Sequence, residues 1–534
     1  MDRLPEEIVD NIISHLAAGS RDGIHENNWV DSDGSWIDND PAWAALAPYA
    51  TVSRRWQEPV EARTFARIIL TPERLASPLA AQALTPDRVR RFVRSVQVHV
   101  VLPTYDEEAR GRREDDADRA ANDAAFTEVV RNVFALLSSV DTATDGYRPK
   151  IRLSMAARCV SDTKDWEARK WEYNVGHEPN DIFEARYKSS YLDLERSIQD
   201  GTDALPELRC ISEFQVRSIA GPAPHYRHFA PRVVCLMASK MSCLETVDWD
   251  LKDDMDHDRR DVERRKKLRA DFADSLQTLP STLRWFRLGY WCHEPTDQYF
   301  ECPSILEDVA NQSNSDKLSV ALHKLSQQLA YFDLIAEVGP EVLWPSGSTD
   351  RNKGKHQGQQ KEEDDEDGAF SPPLWPSMLR CSVCPGAIAP SGKWLFRRRA
   401  VASDSDHSDN GTDGTDSDRG EREHYFRDEP DPEHVSPLFM AAARAAGRMP
   451  ALLSLDFRLN SPMNMGGVAV TYTVPRGGRP TFEGTPPGMA ELFVESEPPF
   501  QQGEEVMQAW REAARGHTGT ESGLAVVIKE FPWL

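Results

Sequence analysis

Chemistry in this chain would fall first to its eight cysteines and fourteen histidines, and few of them are spaced for it. Cys381-Ser382-Val383-Cys384 has the spacing of half a zinc site, and Cys292, His293 and Cys302 are the residues that would have to complete it. A structural zinc takes two pairs at matched spacing, and this second set is irregular. Cys381 also falls in an alternating apolar run, where a free thiol serves as a small core residue. A redox pair needs a helix N-terminus directly after a strand, and Pro385-Gly386 interrupts that continuation. Asp404, Asp406 and Asp409 lack the fixed glycine and later glutamate of a calcium loop. His225 and His228 are an isolated pair after a proline-rich turn. The sequence contains no phosphate-cradling glycine loop, Gly-x-Ser-x-Gly elbow or His-Glu-x-x-His. It therefore assigns no catalytic residue, no metal ligand and no cofactor.

Binding is better represented. Arg259, Arg260, Arg264, Arg265, Lys266, Lys267 and Arg269 form the strongest basic cluster, readable as a nuclear-import signal or a contact for an acidic partner. The simpler reading is the solvent face of a helix whose apolar side carries Val262, Leu268 and Phe272. Trp285, Trp291, Trp344 and Trp375 lie in or near strand-like runs, and any at the surface would anchor a bound protein.

The elements that would position a binding face begin at the N-terminus. Pro5 suits the first turn of a helix, where its missing N–H costs no bond, and Glu6 and Glu7 sit at the positive end of the helix dipole. Leu4, Ile8, Ile12 and Leu16 recur every four residues and make one apolar stripe, flanked by Ile13. A second short helix follows Pro41 with Trp43, Leu46, Ala47 and Ala50, and Val52-Ser53-Arg54-Arg55-Trp56 closes the group. Helices this short bury little surface alone, so an apolar face on them suggests docking to a partner.

These stretches resemble the F-box, with its Leu-Pro-x-Glu-Ile opening and Val-Ser-x-x-Trp close. The resemblance covers residues 1–70 and carries no catalytic residue. It implies binding to the Skp adaptor of a cullin-scaffolded ubiquitin ligase, with the rest of the chain choosing the substrate. Leu4, Pro5, Ile8, Val52, Ser53 and Trp56 match the motif, and Ile12 and Leu16 match the apolar face of its first helix. One departure is a polar insertion at 17–41, where the family joins its helices tightly. A surface loop absorbs such length at small entropic cost, but it can obstruct the adaptor.

The bulk numbers narrow the classes. A formal net charge of −24 argues against a nucleic-acid binder, which needs a basic footprint. No run approaches the roughly 18 apolar residues of a membrane span, and the first 25 residues lack the pattern of a secretory signal. Irregularly spaced cysteines fit reduced thiols in cytoplasm or nucleus, so the sequons at Asn311 and Asn410 are expected to be chance matches.

Downstream the sequence alternates helix and strand. Residues 91–102 and 151–155 alternate as strands. Between them, residues 106–123 open a charged helix that continues through Phe126, Val129, Val130, Val133, Phe134 and Leu137. An apolar anchor followed by apolar residues three and five later then recurs six times. The units are Ile211/Phe214/Val216, Leu244/Val247/Trp249, Leu283/Phe286/Leu288, Leu329/Phe332/Leu334, Met378/Cys381/Val383 and Leu452/Leu455/Phe457. Their anchors lie 33, 39, 46, 49 and 74 residues apart, with helical stretches at 184–199, 259–277, 304–325 and 436–447 between them. Units too small to bury their own faces must stack. The spacing resembles a degenerate leucine-rich repeat, though these units exceed its usual 20–29 residues and show no Asn ladder. A general α/β domain would give the same strands. Two acidic segments, 346–369 and 400–433, carry too little apolar surface to fold and are expected as disordered loops. Val468–Val474, Gly503–Arg515 (with Val506, Met507 and Trp510 on one face) and Leu524–Phe531 are expected as strand, helix and strand, and Phe531-Pro532-Trp533-Leu534 as a docked terminus.

The expected fold class is α/β: a three-helix F-box-like unit, then an irregular repeat-like helix–strand domain over 85–534. The expected function is a non-catalytic substrate receptor that binds the Skp adaptor and cullin scaffold through Leu4, Pro5, Ile8, Ile12, Leu16, Val52, Ser53 and Trp56. A target protein would bind the later domain. The alternatives are an F-box scaffold that does not send its partner for degradation, and an enzyme whose site is assembled from scattered residues.

Overall fold

The computed structural model describes residues 5–18, 46–110, 112–141, 149–162, 190–217, 227–253, 262–292, 299–306, 315–345, 373–397, 427–461, 467–474, 486, 488–497, 500–521 and 523–530. Leu4, Trp43, His225, His293, most of the 17–41 insertion, the acidic 346–369 segment and residues 531–534 lie outside them. The chain is mixed α/β with large, mostly parallel sheet, divided between Met1–Lys252 with Thr278–Leu283 and Asp253–Gln277 with Arg284–Leu534.

The first unit opens with α1 (Glu6–Ala18), a 3-10 turn (Ala47–Thr51) and α2 (Arg54–Thr64). Its parallel sheet runs in chain order through β1 (Arg67–Leu70), β2 (Ser95–Leu102), β3 (Ile151–Cys159), β4 (Ile211–Arg217) and β5 (Thr246–Lys252). Short helices starting at Pro72, Pro78 and Pro86 are each preceded by a hydroxyl residue. Thr71, Ser77 and Thr85 accept from the N–H three residues on, while proline supplies the fixed φ of the first turn. The third of these helices, α3 (Pro86–Phe92), takes the start of the strand expected from residue 91. The charged helix starts later than expected, at Asp116, because Asp115 and Asp118 form a capping box there. Its Phe126, Val129, Val130, Val133, Phe134 and Leu137 are all buried.

His99 lies in the middle of β2, buried. Burial, followed by Arg158, Arg74 and Arg67, pushes its pKa down to about 3, so it stays neutral in the folded chain. An unfolded histidine takes its proton near pH 6.5. Stability from this residue is therefore complete above that pH and drains as pH falls toward 3, by up to about 1.4 kcal/mol per pH unit. Urea midpoints measured between pH 7 and pH 4 should fall less steeply for His99→Gln than for the wild type.

The second unit carries α4 (Val262–Leu276), β6 (Trp285–Trp291), α5 (Lys317–Ser326), β7 (Tyr331–Ala336), β8 (Arg380–Pro385), α6 (Pro432–Ala446) and β9 (Ser454–Asn460). Strands β6 to β9 are parallel neighbours in that order. β10 (Gly467–Thr473) and β11 (Ala490–Glu497) then run antiparallel, and α7 (Glu504–Thr518) returns the chain to β12 (Leu524–Glu530), parallel to β11. All six sequence units are strands with buried anchors. Their apolar positions pair in register, as in Phe214 with Val247, and Phe286 with Phe332, Cys381 and Leu455. In this unit helices pack on that apolar face: Phe272 of α4 meets Tyr290, Phe439 of α6 meets Phe457, and Trp510 of α7 stacks on Tyr472.

Three further expectations change. The helix expected over 184–199 is described only as Arg196–Gln199, after a short strand at Tyr191–Leu192. Of the one expected over 304–325, the described residues carry Lys317–Ser326, with Asp316 capping its start by accepting from Ser319 N–H. The acidic loop expected to run to 433 gives way earlier. Glu429–Pro430 pairs with Phe396–Arg397, and Asp431 accepts from Glu433 N–H to start α6.

Candidate functional site

The N-terminal helices form a small core of Val9, Ile13, Leu46, Trp56 and Val60, with Ile12 and Ala50 packed against it. Arg63 of α2 ties α1 in place, its Nη1 donating to Asp10 Oδ1 (3.1 Å) and its Nη2 to Ser14 Oγ (2.9 Å). Since Val9 and Ile13 turn inward, the parallel stripe of Ile8 and Leu16 is left at the surface, 42% and 40% exposed. Val52 is 47% exposed and Tyr49 is exposed beside Trp56, its ring centroid 6.3 Å away.

The residues matched to the F-box thus divide. Pro5, Ile8, Leu16 and Val52 are outward, and Ile12 is half-buried. Trp56 is core, and Ser53 is the half-buried residue that precedes α2. Ser53 Oγ and Trp56 Nε1 are buried without a hydrogen-bond partner among the described residues. Four of the eleven large hydrophobic side chains exposed among the described residues belong to the N-terminal helical segments, namely Ile8, Leu16, Tyr49 and Val52. Singly exposed apolar side chains are ordinary on protein surfaces, whereas these four fall within residues 8–52. Tyr49 was missed in the sequence because its residue type and position match neither half of the motif.

The second concentration of chemistry is ionic and was not legible. Arg265 and Arg269 of α4, expected at the solvent face, are buried. Arg265 Nε and Nη2 donate to Asp253 Oδ1 (3.1 Å) and Oδ2 (2.8 Å), and Nη2 also reaches Glu337 Oε2 (2.7 Å). Arg269 donates to Asp253 Oδ2 (2.6 Å), Asp316 Oδ2 (3.0 Å) and the Glu337 carbonyl (2.8 Å). Burial alone would raise the Asp253 carboxyl, but Arg265 and Arg269 outweigh it and hold it below the usual range. For Glu337 burial prevails over the same arginines and its carboxyl is raised. The helix face is i, i+4, i+7, so Arg265 and Arg269 share it with Phe272 and Leu276, and the carboxylates at strand ends and the α5 cap make their burial possible. The arrangement ties four segments of the second unit together through mutual charge pairing.

The cysteines are not brought together as a site. Cys381 and Cys384 are three apart on one strand, which places them on opposite faces of β8. Cys381 is buried, and burial followed by Asp456 and Asp333 pushes its thiol up to about 12. Among the described residues no group of three or more His, Cys, Asp or Glu is arranged to hold a metal, and no helix is long and apolar enough to cross a membrane. No known family model matches the chain, and no curated protein matches it.

Proposed function

We propose that this chain is the substrate-recognition subunit of a Skp–cullin–F-box ubiquitin ligase. In this reading the N-terminal helices hold the Skp adaptor and the parallel helix–strand units hold a target. The observation that carries the reading is the exposure of Ile8, Leu16 and Val52 over a core of Val9, Ile13, Trp56 and Val60. A unit this small gains by covering such a face. The in-register parallel strands at β4–β5 and β6–β9 support a leucine-rich-repeat-like reading of the later domain, with β10–β12 as a differently built end. The mechanism is proximity: holding a target lysine near activated ubiquitin raises its effective concentration without chemistry from this chain.

The test is binding of purified Skp adaptor to the full chain. Ile8→Asp/Val52→Asp should weaken it at least 100-fold, about 2.7 kcal/mol, with the thermal transition unchanged. Absence of binding both by the wild type and by a chain lacking residues 19–41 would overturn the reading.

A further inference from the structure

Residues alternating with the buried rows of β6, β7 and β8 form a second, outward face. Its first row is Trp285, Tyr331 and Arg380, directly opposite one another on adjacent strands. The next is Arg287, Asp333 and Ser382. Trp285 is 50% exposed, an unusual state for so large an apolar side chain, and its ring lies against Tyr331 with centroids 5.3 Å apart. Arg380 is exposed and makes no ion pair among the described residues, whereas Arg287 pairs with Asp333 at 3.6 Å.

The outward row of the first unit differs. There Arg152 pairs with Glu213 (2.8 Å), and Arg217 bridges Asp248 (2.7 Å) and Asp250 (2.6 Å). There both cations are paired, and one negative charge is in excess. At β6–β8 an aromatic pair and one cation without an ion pair stand side by side instead. Trp, Tyr and Arg are the residue types most enriched where binding energy concentrates.

We infer that Trp285, Tyr331 and Arg380 form the anchor for an extended acidic segment of a partner protein. A large apolar side chain of that segment covers the Trp285–Tyr331 rings, and an Asp or Glu two residues away pairs with Arg380. The spacing follows from the sheet. Strands lie about 4.8 Å apart, so the distance from between the two rings to Arg380 is roughly 7 Å, the span of two residues in an extended chain. Charge sets the sign locally. Arg287 is paired with Asp333, and Asp456 of β9 lies beside Ser382 and accepts from Thr471 Oγ1. Arg380, exposed and without an ion pair among the described residues, is the cation left to take a carboxylate rather than a basic residue. The inference rests on the receptor reading for its biological setting but not for its chemistry.

The experiment is selection of random twelve-residue display peptides on the full chain, followed by anisotropy titration of the enriched peptides. The expected pattern is a large apolar residue two positions from Asp or Glu. Affinity should fall at least 10-fold in Trp285→Ala, and Arg380→Glu should turn the selection toward basic peptides. Arg380→Gln, a milder change, should weaken binding without that reversal. No enrichment, or enriched peptides whose affinity is indifferent to Trp285→Ala and Arg380→Glu, would overturn the inference. Skp-adaptor binding is measured on the same variants and should be unchanged. Peptides with the expected pattern on a chain that does not bind the adaptor would sustain this inference while the ligase reading fails.

Discussion

Arg269→Met is expected to destabilise the second unit by about 3–5 kcal/mol, the usual cost of breaking a buried charge pair from one side. The side chain fits methionine in length, so little packing is lost. What is lost is the partner of two carboxylates and one carbonyl, since Arg269 donates to Asp253, Asp316 and the Glu337 backbone oxygen. Asp253 would retain Arg265 as its remaining cation, and Asp316 would retain its cap bonds to Ser319. Arg269→Lys keeps the charge, but a point cation cannot reproduce the planar fork that reaches three acceptors. It should fall between the wild type and Arg269→Met. Urea denaturation of the full chain, followed by a probe in this unit such as buried Trp375 or Trp510, reads the difference. A loss below 1 kcal/mol in Arg269→Met would show that Asp253 is not carrying an uncompensated charge.

The same two arginines show where the sequence stops being legible. In Arg264-Arg265-Lys266-Lys267-Leu268-Arg269 nothing local separates the two buried guanidiniums from the other cations, because the separation is made by carboxylates at 253, 316 and 337. Arginine is also the better choice for such a position, being more weakly hydrated than lysine. By contrast, the six strand units were readable because burial on one sheet face imposes a period of two that the sequence carries in each unit separately. β11 escaped that reading even though Leu492 and Val494 are buried, because Glu491 and Ser496 share its buried positions. At the N-terminus the apolar stripe was visible, but which edge of it faces the core was not. Ile8 and Val9 are equally apolar, and only Leu46, Trp56 and Val60 decide between them.

That division sets the largest effect expected in the N-terminal helices. Trp56→Ala should remove about 3–5 kcal/mol, as truncation of a large buried aromatic does. Only Val9, Ile13, Leu46 and Val60 remain as buried members of the group, so the loss removes the largest share of the apolar core that joins the three helical segments. Amide exchange across residues 5–18 and 46–64 should approach that of an unfolded chain, while exchange in β6–β9 is unchanged. The adaptor binding proposed for this face should vanish with it, for lack of a surface rather than of a contact. Ile8→Asp/Val52→Asp should do the reverse, leaving exchange protection intact and abolishing binding, since neither side chain belongs to the core. If the aspartate pair also loses protection, Ile8 and Val52 support the fold and the outward face is not a free docking surface. If Trp56→Ala keeps its protection, the helices are held by something other than their own core, and contacts beyond residue 64 become the place to look.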